Sequence, residues 1–138
     1  MSLYSIEIGV HKYFGFLLDD FGFSIAEELY RQEMGNAVVV FSKNQTCIEL
    51  VKDRGQILVT LGDKSLTKWD WIEFAKAVQF FLENSDSVYS FPSEYNDVTE
   101  ELQLSHLSTL MKLHCTAILS GEMSVVQLRY VILSKRAQ

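Results

Sequence analysis

The chain has 138 residues, 48% hydrophobic and 22% charged, with one proline and a formal net charge of −6. That composition argues against long disordered segments, and the length suits one domain, residues 1–138, with a real core. Basic residues do not cluster, which argues against a nucleic-acid-binding face. No run approaches the roughly 18 apolar residues of a membrane span. No basic segment precedes the first apolar stretch, which Glu7 interrupts, so no secretory leader is read and a cytoplasmic location is expected.

Residues 3–18 fit an amphipathic helix. Leu3, Ile6, Val10, Tyr13, Phe14 and Leu17 recur at helical spacing, and Asp19-Asp20 ends it. Phe21-Gly22-Phe23-Ser24-Ile25 alternates as a strand and is extended to Tyr30, although Ile25 to Arg31 also suits a helix. A linker, Gln32 to Gly35, leads into three β-runs that fix the fold class. Ala37 to Phe41 is continuously apolar, the pattern of a strand covered on both faces or a central one. Thr46 to Lys52 places Ile48 and Leu50 on one face, and Ile57, Val59 and Leu61 do the same in the third run. Ser42-Lys43-Asn44-Gln45 supplies the first turn. Asp53-Arg54-Gly55 suits a three-residue hairpin with a bulge at Gly55. Leu61-Gly62-Asp63-Lys64-Ser65 reads as an exit from strand to loop.

The next helix has a full start signal: Asp70 as N-cap, Glu73 completing a capping box, and Trp69 with Phe74 as a hydrophobic staple. Trp71, Ala75, Val78 and Leu82 form its stripe, with an end near Glu83. Residues 84–96 read as loop. A long helix is predicted from Val98 to Ser120, with Leu104, Leu107, Met111, Cys115 and Ile118 inward and Gly121 as its stop. Ser124 to Ala137 fits a helix or a strand; the Lys135-Arg136 end favours helix.

Charge is unevenly placed. Between Lys76 and Lys112 there is no base, and six of the eighteen acids lie there: Glu83, Asp86, Glu94, Asp97, Glu100 and Glu101. Twelve acids and twelve bases share the rest of the chain. The segment reads as a solvated loop with an acid-favouring helix start, or as a surface for a protein partner with a basic face. Arg54, at a hairpin tip, is the other candidate partner contact, through a bidentate pair with a carboxylate. Trp69-Asp70-Trp71 would be a binding hot spot if exposed, although the staple and core roles account for both rings.

No catalytic set emerges. His106 and His114 are two turns apart rather than the one turn of zinc helices. Cys47 and Cys115 sit in apolar patterns and read as free buried thiols. A cysteine- or histidine-dependent enzyme is kept as the alternative. Adjacent acids at Asp19-Asp20 and Glu27-Glu28 point apart on a strand. Neither GxGxxG nor GxxxxGK[ST] occurs. No cofactor and no metal is expected.

The order of helix, Asp20-Phe21-Gly22-Phe23, Gly35-Asn36-Ala37-Val38-Val39-Val40, Glu49-Leu50-Val51-Lys52-Asp53-Arg54-Gly55-Gln56 and Leu58-Val59-Thr60-Leu61-Gly62 resembles a group of uncharacterised bacterial domains of the immunity type, found near polymorphic toxin systems. The similarity covers residues 10–62 and carries no catalytic residues. It implies a non-enzymatic module that binds and neutralises a toxin. The fold expected is α+β: an N-terminal helix, an antiparallel sheet of about four strands, and two to three C-terminal helices on one face. Self-association as a homodimer is the remaining option, because sheet edges must be short, covered or paired.

Overall fold

The structure, a computed structural model, describes residues 6–31, 36–82 and 100–136. The order is α1 (Ile6–Phe14), α2 (Phe16–Asp19), β1 (Ser24–Arg31), β2 (Asn36–Lys43), β3 (Thr46–Asp53), β4 (Gln56–Asp63), a 3₁₀ turn (Lys68–Asp70), β5 (Ile72–Glu73), α3 (Phe74–Leu82), α4 (Glu100–His114), α5 (Thr116–Ser120) and α6 (Val125–Arg136). This is the expected α+β fold, with the strands in chain order β1-β2-β3-β4-β5, each antiparallel to its neighbour. The helices pack on one face, and one core cluster runs from Ile6 through the inward sheet residues Val39, Phe41, Ile48, Leu50, Val59 and Leu61 to Leu128.

The N-terminal helix is interrupted at Gly15, and Ile6, Val10, Phe14 and Leu17 are its buried stripe, as their spacing predicted. The strand that follows starts at Ser24 rather than Phe21. Gly22 turns the chain with φ 76°, which lets Phe21 stand edge-on to Phe16 while Phe23 enters the core.

The β3–β4 turn is tighter than the expected bulged hairpin. Asp53 pairs directly with Gln56, and Arg54 and Gly55 both take positive φ, 52° and 81°. That is the type I′ arrangement, whose twist matches that of the flanking strands. Glycine suits the second position; Arg54 occupies the first at some conformational cost.

The capping box at Asp70 does not form. Ile72 pairs with Leu61 as a fifth strand, so the backbone is extended at Trp71 and the helix begins only at Phe74. Trp71 lies flat against Gly62, where any Cβ would overlap its ring. Its indole N–H donates to the Asp63 and Leu66 carbonyls at 3.2 and 3.3 Å. On α3 the buried residues are Phe74, Ala77, Val78 and Leu82, and Ala75 faces solvent.

The long C-terminal helix is broken at Cys115, whose φ and ψ of −110° and 18° leave the helical region. The break brings Cys115, Ile118 and Leu119 together into the core, and Gly121 ends α5 as expected. Residues 125–136 are helical, the favoured alternative. A reciprocal capping box starts α6: the Gln127 N–H donates to Ser124 Oγ at 3.0 Å, and the Ser124 N–H donates to Gln127 Oε1 at 2.8 Å.

Each sheet edge is blunted. β1 carries a bulge between Ile25 and Glu27 and two exposed glutamates. β5 is two residues long. Where it leaves β4 uncovered, the fully buried Gln103 of α4 stands in for a strand, accepting from the Ile57 N–H at 2.9 Å and donating to the Gly55 carbonyl at 2.8 Å. A bulge, charge, shortness and cover are the usual ways of preventing edge pairing.

Candidate functional site

Two segments build the most exposed aromatic surface among the described residues. The first is the 3₁₀ turn. Thr67 precedes it in an extended conformation, and its hydroxyl donates to Asp70 Oδ2 at 3.3 Å. Lys68 is fixed by a 2.9 Å ion pair to Glu49 of β3, and Trp71 by its bed on Gly62. Between these anchors Trp69 projects outward with 96% of its surface exposed.

The second segment is α6. Val125 and Leu128 are buried, and Ile132 packs against the core cluster. The neighbouring stripe, Val126, Tyr130 and Leu133 at i, i+4 and i+7, faces water, with Tyr130 72% exposed. Arg129 ties the two segments together, donating from Nη2 to Asp70 Oδ1 at 3.1 Å. Trp69, Trp71, Arg129, Ile132 and Leu133 border a recess of about 240 Å³. Tryptophan and arginine, which border the recess, are among the residue types that dominate protein interfaces. Trp69 does not form the staple its position before Asp70 predicts: Trp71 is seated on Gly62, a contact that only the tertiary structure shows, and Trp69 stands at the surface.

The acidic candidates divide. Glu83, Asp86, Glu94 and Asp97 lie outside the described residues. Glu100 pairs with Lys52 at 2.6 Å. Glu101 accepts from the Tyr13 hydroxyl at 2.8 Å and from Lys12 at 3.2 Å. The tyrosine hydroxyl, and then the lysine, hold its carboxyl below the usual range. Both residues therefore clamp α4 to the sheet and to α1. Arg54 is exposed at the hairpin tip and forms no ion pair with a described residue. It shares one end of the molecule with Glu100, because Lys52 reaches Glu100 and Gln103 reaches Gly55.

Burial disfavours the thiolate at both cysteines. Cys115 is fully buried, and burial pushes its thiol up to about 12. Burial also raises Cys47. The thiolate, which does the chemistry, is suppressed at both. Among the described residues one set of ligand atoms converges: Glu7, His11 and Glu28, within 4.8 Å of one another. His11 Nε2 meets Glu28 Oε1 at 2.8 Å, and the Tyr30 hydroxyl donates to the same oxygen at 2.7 Å. Three exposed ligands of this kind are able to take a divalent cation, but the hydrogen bonds within the set already account for its arrangement. The one-turn spacing of Glu7 and His11 was legible in the sequence; Glu28 joins them only through the packing of α1 on β1.

No helix among the described residues is long and apolar enough to cross a membrane. Comparison with family models, curated proteins and solved structures gave no significant match.

Proposed function

We propose that this chain is a non-enzymatic protein-binding module whose partner seats on Trp69 and the α6 stripe. The observation that carries this reading is the exposure of Trp69, 96%, on a turn tied at both flanks. A large apolar ring on a turn whose neighbours are already tied costs little backbone entropy to dock and has nearly all of its burial energy still to gain. The mixed rim of Asp70, Glu73, Lys76 and Arg129 supplies polar contacts around it. The resemblance of residues 10–62 to immunity-type domains makes a toxin the first partner class to test. A basic face on that toxin would meet the chain's net charge of −6.

The experiment is affinity capture with wild type and Trp69→Ala side by side, followed by calorimetric titration of the captured protein. Trp69→Ala should keep the fold and weaken binding by about 30-fold or more. Equal affinity for both proteins would rule out this face. Growth rescue by co-expression with a captured toxin tests the immunity reading, and failure of rescue removes that part alone. Charge reversal at Glu100 and Glu101 is a poor probe of binding, because it also breaks the clamps to Lys52 and Lys12.

A further inference from the structure

We infer that the chain binds a small aliphatic α-amino acid in a cavity at one end of the inner sheet face, a site that does not rest on the protein-partner reading above. Strand alternation carries the core face of β2, β3 and β4 past Phe41, Ile48 and Leu61 to Lys43, Thr46 and Asp63. Register sets these three directly opposite one another, Lys43 with Thr46 and Thr46 with Asp63. A cation, a hydroxyl and a carboxylate therefore stand in a row on adjacent strands. With Ile118, Leu119 and Met123 they border a cavity of about 180 Å³.

Asp63 carries the inference. The residue is only 3% exposed. Its Oδ1 accepts twice from Ser65, from the backbone N–H at 2.9 Å and from the hydroxyl at 2.6 Å. Its Oδ2 accepts from no described residue. Buried carboxylate oxygens are as a rule hydrogen-bonded or ion-paired, so this one calls for a donor in the cavity. At the other end of the row, Lys43 Nζ donates to the Leu119 carbonyl at 3.1 Å and stands over the Phe23 ring. It pairs with no carboxylate among the described residues, and an ammonium has three donors to offer. Lys43 and Asp63 do not meet each other, because two strand spacings, about 9.6 Å, separate their backbones. A lone amine in the cavity faces Lys43 and a lone anion faces Asp63, each a like-charge contact. A zwitterion satisfies both. An α-amino acid with one charge-assisted hydrogen bond at each end spans about 9 Å, close to the width of the row. Its ammonium meets Asp63 Oδ2, its carboxylate meets Lys43 Nζ, and its side chain lies on Ile118, Leu119 and Met123. The cavity has the volume of about six liquid waters, the scale of a free aliphatic amino acid and well below that of drug-sized sites.

The test is titration of the full chain with L-valine and L-leucine, followed by calorimetry and by backbone amide NMR shifts. Dissociation constants of about 10 μM to 1 mM are expected, with the shifts concentrated at Thr46, Asp63, Leu119 and Met123. Removing one charge from the ligand probes the pairing without touching the fold. Isobutylamine, which is valine without its carboxylate, and isovalerate, which is valine without its amine, should each bind at least about 10-fold more weakly than L-valine. Asp63→Asn keeps an acceptor for Ser65 and should weaken L-valine by about 10-fold or more with unchanged circular dichroism. Lys43→Met keeps an apolar stem beside Phe23 and should weaken it by a similar factor. No binding of either amino acid at about 10 mM would overturn the proposal. So would equal affinity for isobutylamine or isovalerate, binding indifferent to either substitution, or shifts confined to another face.

Discussion

Replacing Gln103 by leucine removes two hydrogen bonds while nearly preserving volume. The Ile57 N–H is buried beneath the side chain and has no route to water, so leaving it unpaired costs about 1–3 kcal/mol. The Gly55 carbonyl lies at the exposed hairpin tip and can rehydrate, so its loss is worth only about 0.5–1.5 kcal/mol. A leucine in the same site recovers part of this through apolar burial, about 1 kcal/mol. The expected net is about 0.5–3.5 kcal/mol of lost stability, centred near 2, a large share of the total for a domain of this size. Urea unfolding followed by circular dichroism should show the midpoint falling by about 1–2 M with an unchanged slope. Hydrogen exchange gives the local readout: the Ile57 amide should lose its protection in Gln103→Leu while the amides of the β2–β3 ladder keep theirs. A midpoint within about 0.3 M of wild type, with Ile57 still protected, would refute the idea that this side chain serves as a surrogate strand.

Three further outcomes are expected. Gly62→Ala should cost about 2–4 kcal/mol, because the new methyl displaces the Trp71 ring and its two indole hydrogen bonds; a red-shifted tryptophan emission and a lowered Tm check it, and an unchanged spectrum counts against the packing. Arg54→Asn should raise stability by up to about 1 kcal/mol, since asparagine tolerates the left-handed conformation required at that turn position; a fall in Tm would show that the turn is not type I′. The Tyr30 hydroxyl first, and His11 second, hold the Glu28 carboxyl below its ordinary value of 4.5. A depressed carboxylate contributes stability that is fully present above the unfolded value and is lost as pH falls through the lower folded value. Wild type should therefore lose stability below about pH 4.5, and Glu28→Gln should lose less over the same window; superimposable pH profiles would remove Glu28 from that account.

The sequence by itself determined the meander, because alternation at Ile48, Leu50, Ile57, Val59 and Leu61 is a local property that register can only confirm. It also determined the N-terminal stripe and the stop at Gly121. It could equally have shown the α6 capping box, whose Ser124 and Gln127 stand at the required spacing. The start of α3 was beyond it. Trp69-Asp70-Trp71 satisfies every local rule for a helix N-terminus, and those rules are worth about 1 kcal/mol each. A fifth strand and an indole seated on Gly62 outweigh them, and both depend on a residue eight or more positions away. The same long-range balance decided the candidate site. Exposure belongs to the assembled surface, so the ring that local rules assigned to a staple became the most exposed large hydrophobic residue of those described, and two acids that looked free became clamps on α4.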